Sequence, residues 1–315
     1  MKMLRTVTGL LLLATTVACG EDEPFPSSST KYEQGFSALW GSAADDVWAV
    51  GEGGAILHFD GRSWTAFDSG TAHSLLDVWG SGKDDVWAVG EAGTITHWDG
   101  QSWIAASTDE TESLLAVWGT GPDQLWVGGL SQGRGYVGSW NGRSWGFSLV
   151  PDAASIWDIW GTGPNDAYLA GTRASATAQR TANGLLYHFD GEQWDVTTYP
   201  GGSLRAGWSS STDDVWVAAY DSPLQHWDGS TWSSLGGANE LLFAMWGTSG
   251  NDVWTAGANG RVLHFDGSAW NEVPSQTDQY LWTIWGSASD DVWLAGAAGA
   301  LLHWNGATFT RGVQQ

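Results

Sequence analysis

Six of the seven histidines in this 315-residue chain share one setting. His58, His97, His188, His226, His264 and His303 each end an apolar run and precede an aromatic residue and an Asp-Gly or Asn-Gly turn. Imidazoles in that number could hold metal ions. Aspartates suggest a second chemistry, calcium binding. Asp45–Asp46, Asp84–Asp85, Asp213–Asp214 and Asp290–Asp291 are pairs, Asp123, Asp166 and Asp252 occupy equivalent places, and Asp60, Asp99, Asp190, Asp228 and Asp266 precede glycine. A third group is basic. Arg134, Arg173, Arg180 and Arg205, with Tyr136 and Tyr220, could hold a carboxylate, a sulfate or the face of a sugar ring. A guanidinium offers a two-pronged hydrogen-bond fork and pairs with aromatic faces.

What must position these residues is a repeat. Trp40, Trp79, Trp118, Trp160, Trp208, Trp246 and Trp285 open near-identical segments, such as WGSAADDVWAVG at 40–51 and WGSASDDVWLAG at 285–296. A unit of about 40 residues with four short β-patterned runs between turns is one propeller blade. The fold class expected is all-β, a seven-bladed β-propeller with four antiparallel strands per blade. In blade two the strands fall at 74–79, 86–90, 93–98 and 102–107, with Asp99-Gly100 making a tight turn. Wedge-shaped gaps between blades need large side chains. Four repeat positions absorb 23 of the 25 tryptophans, and Trp157 and Trp282 are left over.

Placing the chemistry on the blades removes much of it. Strand three lies two strand spacings of about 4.8 Å outside the inner strand. Equivalent histidines are then about 14 Å apart, too far to share an ion whose Zn–N bonds are about 2.0–2.1 Å. Each His is therefore expected to hydrogen-bond within its blade. The aspartates fall in the turns of one face, where Asp bonds backbone amides. No single turn gathers the 6–8 oxygens calcium takes. No metal and no cofactor is expected.

The opposite face varies. From the opening Trp to the repeat His, or to Ser139 in blade three, the separation is 18 in five blades, 21 in blade three and 28 in blade four. Ligand-binding residues concentrate on varied loops of a rigid scaffold. Candidate ligand-binding residues are therefore Arg134, Tyr136, Arg173, Arg180, Arg205 and Tyr220, with three of the arginines on loose inserts. Asp77 and Asp158 are weaker candidates in the channel. Catalytic residues are not indicated: His73 alone stands off the repeat, and neither a Ser-His-Asp grouping nor a glycine-rich phosphate loop is evident. With 12 Lys and Arg against 35 acids, net charge −23, the chain lacks the cations that nucleic-acid phosphates demand.

Lys2 and Arg5 precede an apolar run, Val7–Val17, and then Ala18-Cys19. The run is too short to span a bilayer and has the shape of a cleaved signal. It resembles a bacterial lipoprotein signal, which implies lipidation at Cys19. The domains read as a signal peptide at 1–18, a lipidated Cys with flexible tether at 19–35, and the propeller at 36–315. The WG…DDVWAVG…ILHWDG pattern resembles a Trp-rich seven-blade repeat family of bacterial secreted proteins and lipoproteins. Its Asp60-Gly61-x-Ser63-Trp64 turn is distantly similar to the Asp-box of sialidase-type propellers. The resemblance implies location at the cell envelope, as an outer-membrane lipoprotein or a secreted protein. A monomeric, non-enzymatic binding module is expected, its partner a glycan or an envelope protein, touching the membrane only through the lipid. The alternatives are a sialidase-like glycoside hydrolase and a scaffold in an outer-membrane assembly complex.

Overall fold

A computed structural model of the chain describes residues 34–106, 112–174, 184–197, 199, 202–220, 222–236 and 241–312. It forms seven four-stranded antiparallel sheets, each with its strands in chain order. Blades one to seven occupy 36–67, 75–106, 113–149, 153–197, 204–234, 242–272 and 281–311. In blade two the strands are Leu75–Gly82, Asp85–Gly90, Ile95–Trp98 and Trp103–Ala106. The third begins two residues later than the sequence suggests, because Glu91–Gly93 forms a 3-10 turn. All seven sheets are contiguous in sequence, so blade seven and blade one meet without exchanging a strand.

The recurring Trp-Gly dipeptide explains how blades nest. In six of the seven junctions the opening Trp of one blade lies against the glycine that follows the opening Trp of the next; in blade five Ser209 stands there, and Gly207, just before Trp208, meets Trp160 instead. A Cβ on Gly80 would stand 2.6 Å from the Trp40 ring, and one on Gly41 would stand 2.6 Å from Trp285, across the closing seam. Farther out, the strand-two Trp inserts between two aromatics of the following blade. Trp48 lies 5.1 Å from Trp98 and 5.3 Å from Trp103, and Trp293 lies 5.1 Å from Phe59 and 5.3 Å from Trp64. Trp48, Trp216, Trp254 and Trp293 are fully buried. Burying roughly 150–250 Å² of each such side chain, at about 25 cal/mol per Å², contributes on the order of 4–6 kcal/mol before entropy is charged.

The inner strands are also linked. Asp77 accepts the Val117 N–H at 2.7 Å, Asp158 accepts the Gly207 N–H at 2.9 Å, and the Thr283 hydroxyl accepts the Leu39 N–H at 3.1 Å. Each bond joins one blade to the next. Gly35 stays with its own blade through Glu52, so the chain enters blade one on the varied face.

Blade three corrects one expectation. Its insert is an ordered hairpin, with Gln124–Ser131 paired to Arg134–Trp140 and Ser131 opposite Arg134. Gln132 and Gly133 make the two-residue turn at φ +51° and +73°, the left-handed pair that matches strand twist. In blade four, Asp166–Arg173 pairs with an inner strand of 11 residues, Ala153–Gly163. Arg134 and Arg173 thus sit on strand ends rather than loose loops.

Candidate functional site

The repeat histidines do hydrogen-bond within their blades. His58 Nε2 lies 2.6 Å from Asp46 Oδ1, while the Ser42 hydroxyl donates to Asp46 Oδ2 at 2.5 Å. The ring lies against Trp48, with centroids 4.3 Å apart. The same line recurs as Ser81–Asp85–His97, Thr162–Asp166–His188, Ser210–Asp214–His226, Thr248–Asp252–His264 and Ser287–Asp291–His303. The residue types match a hydrolytic triad, but the order does not. A nucleophilic serine must give its proton to the histidine, whereas here Asp stands between the two. Burial raises Asp46, yet the bonds from His58 and Ser42 outweigh it and hold the carboxyl below its ordinary value, which makes it a poor base. In blade three Gln124 and Ser139 replace both partners, and the Thr120 hydroxyl donates to Gln124 at 2.9 Å. The lines lock turns.

The Asp-Gly aspartates bond backbone amides as expected. Asp60 Oδ1 accepts N–H bonds from Ser63 at 2.8 Å and Arg62 at 2.9 Å, and these hold its carboxyl below the usual range. The strand one–two acids differ from expectation. The second of each pair bonds the repeat His across the strand two–three pairing instead of the turn amides. Among the described residues, no group of three or more His, Cys, Asp and Glu is placed to hold a metal ion.

The varied face holds a different surface. Each inner strand carries a β-bulge near its start, as between Leu75 and Asp77. The bulged residues are Ser37, Leu76, Leu115, Trp157, Arg205, Phe243 and Trp282, all half-buried around the channel mouth. Both left-over tryptophans are here. The Arg205 guanidinium lies 3.9 Å from the Trp157 ring centroid, joining blades four and five. Trp157 Nε1 donates to Thr172 Oγ1 at 3.1 Å, and Thr172 Oγ1 lies 2.5 Å from Ser203 Oγ.

Arg205, in the cluster itself, is one of the expected ligand-binding residues, and Arg134, Arg173 and Tyr220 stand near it. Arg173 adjoins Thr172 and is opposite Ala153, which a Cβ on Gly135, beside Arg134, would approach to 2.6 Å. Tyr220 donates its N–H to the Ser203 carbonyl at 2.8 Å, and Arg205 lies on the same strand as Ser203's neighbour Leu204. Arg134 is exposed, while Arg173 faces Asp152 at 4.0 Å. Tyr136 is separate: it is 3 % exposed and packs on Phe147 in the blade interior. Arg180 and Cys19 lie outside the described residues. Below the mouth, burial pushes Asp77 up to about 8, the Val117 N–H opposing and Asp158 adding to the rise. Burial likewise lifts Asp158 to about 7 against the Gly207 N–H.

Sequence reasoning passed over Trp157, Trp282 and Phe243 as site residues. The available signal was the two tryptophans that no architectural position absorbed.

No sequence family matches the chain, and no curated protein does. Solved structures do resemble it. YCF48 from Cyanidioschyzon merolae superposes with a TM-score of 0.68 at 16% identity, covering 88% of this chain and 97% of that one. A structure of YCF48 bound to D1 peptide gives 0.66 at 16%, covering 87% and 92%. The WD40 β-propeller domain of Doa1 gives 0.69 at 13%, covering 89% and 93%. The class is thereby defined: a seven-bladed β-propeller with the WD40-like architecture.

Proposed function

We propose that this protein is a non-enzymatic interaction module that docks a peptide segment of a protein partner at its channel mouth. The observation that carries the reading is the ring of bulged residues, apolar in five blades, polar in Ser37 and cationic only in Arg205. Aromatic residues and Arg are the side chains that most often dominate protein interfaces. Repeat positions that build the fold are uniform, whereas this one changes from blade to blade. The structure of YCF48 bound to D1 peptide supports the reading by showing that a protein of this architecture takes a peptide.

Arg134, Arg173 and Tyr220 would form the rim, with Arg180 close in sequence. The envelope location and lipidation of Cys19 belong to the same proposal. The tether of residues 20–34 leaves from the varied face, so a lipid anchor would hold the mouth towards the membrane and the acidic turns away from anionic headgroups.

A photo-crosslinking amino acid at Leu115 or Phe243, introduced in the native host, tests the docking. A discrete protein adduct is expected from those positions and none from Gln101 on the acidic turn face. Loss of the adduct in Trp157→Ala with Arg205→Ala would support the mouth. Equal adducts from both faces would sink it.

A further inference from the structure

A groove of about 1190 Å³ opens between blades six and seven on the varied face, away from the expected sector in blades three to five. It exceeds the ~300–1,000 Å³ that encloses a drug-sized ligand, so its shape suits an oligomer. The connector at residues 273–280 crosses it and is fastened to both blades. The Gly260 N–H donates to the Gln279 carbonyl at 2.7 Å, and the Ala297 N–H donates to the Tyr280 carbonyl at 2.9 Å. The Ser275 hydroxyl donates to the Gly260 carbonyl at 2.6 Å. A groove held this way loses little freedom when it binds.

Tyr280 departs from the repeat. Gly35, Ser74, Ser113, Ser155 and Ser203 stand at the equivalent place in blades one to five, directly before the buried residue of the inner strand, and Leu241 holds it in blade six and lines the same groove. Here a Tyr is 45 % exposed, with Phe243 beside it at 6.1 Å between ring centroids. The exposed Asn259, Gln276 and Arg311 and the half-buried Gln279 share the groove lining with it, Arg311 at the outer end on the fourth strand of blade seven. Charge on the lining is balanced, because Arg261 pairs with Glu272, and the other two charged side chains, Asp278 and Arg311, are of opposite sign. The lining is mixed: Leu241, Ala258, Val273, Pro274 and Ala298 are apolar, and polar and charged side chains outnumber them, a balance that suits a hydroxyl-rich ligand better than the large buried anchors that dominate protein interfaces.

An exposed aromatic face can cover the C–H face of a pyranose. Planar amides and a guanidinium present paired donors and acceptors at the spacing of neighbouring hydroxyls. From this arrangement we propose that the groove between blades six and seven is a binding site for a neutral oligosaccharide, with Tyr280 as its stacking platform and Arg311, Gln276 and Asn259 as its hydroxyl readers. Phe243 borders both this groove and the mouth, but the platform and readers named here are not mouth residues, so the two sites are tested separately.

Calorimetric titration of the full chain with neutral hexasaccharides tests it: β-1,4-glucan, α-1,4-glucan, β-1,4-mannan and β-1,4-linked N-acetylglucosamine. At least one is expected to bind, with affinity falling about tenfold in Tyr280→Ala, the scale of one lost ring contact. Arg311→Ala should weaken it too, while Arg205→Ala leaves it unchanged. No binding of any hexasaccharide at millimolar concentration overturns the proposal. So does binding that Tyr280→Ala and Arg311→Ala leave intact, or that Arg205→Ala abolishes. Matching thermal melts of the variants separate lost binding from lost fold.

Discussion

Asp77 and Asp158 are ordinary carboxylates in an unusual place. Both lie beneath the channel mouth, and each holds the inner strand of the following blade. In the unfolded chain they titrate near 3.8, but in the fold near about 8 and about 7. Between those limits the native state binds more protons than the unfolded one, so stability falls as pH rises. Their contribution is full below about pH 4 and is lost as pH passes through 7 and 8. Asp46, Asp85 and Asp166 act in the opposite sense. Their carboxyls are held below the ordinary value, so their contribution is lost as pH falls below that value. The expected outcome is a melting temperature that peaks at about pH 4, where both contributions are near full, and declines from there through pH 8. Asp77→Asn keeps an acceptor for the Val117 N–H and removes the titration. Melts followed by tryptophan fluorescence should show its alkaline decline flattened and its acid limb unchanged; parallel curves for variant and parent would refute the assignment.

At the scale of the element, the blade is a socket as much as a sheet. Gly80 admits the Trp40 ring of the preceding blade, and a Cβ there would also meet the Asp85 carbonyl at 2.7 Å. Gly80→Ala is expected to destabilise by about 1–3 kcal/mol, the usual cost of overpacking. Gly82→Ala, two residues on with nothing within 4 Å of its Cβ position, should stay within about 0.5 kcal/mol of the parent. Urea midpoints measure both, and equal losses would mean that the Trp-Gly contact is not what the motif maintains. This level of the structure was largely legible in the sequence, since a seven-fold repeat averages out local ambiguity. The blade-three insert was not read as a hairpin, although Gln132-Gly133 is a two-residue turn signal. The Ser–Asp–His lines were missed because their members are 4 and 12 residues apart in most blades and meet only when strands two and three pair. The groove at Tyr280 escaped notice for a simpler reason: its connector has ordinary length, and only changes of length drew attention to a face.

For the whole molecule, the two faces differ in kind. One carries the turn aspartates, of which the Asp-Gly members bond their own turn amides and six strand one–two members bond the repeat histidines. The other carries the mouth, the groove and the start of the first strand at Phe36, so every surface assigned to binding lies on the side where the described chain enters the ring. Under the proposed lipidation of Cys19, the fifteen residues 20–34 would reach at most about 50 Å when extended, which would limit how far the ring stands from a bilayer. Cys19→Ser should move the protein from the membrane fraction to the soluble fraction of the native host, and unchanged fractionation would remove the lipid from the account.

Each sheet is completed within one uninterrupted stretch of chain, and the closing seam uses the same Trp-Gly contact as the others. A gene built this way can duplicate or delete a unit at any boundary without orphaning a strand. Its ancestry can then be a count of copied segments, with Trp157, Arg205 and Tyr280 marking where individual copies have since gone their own way.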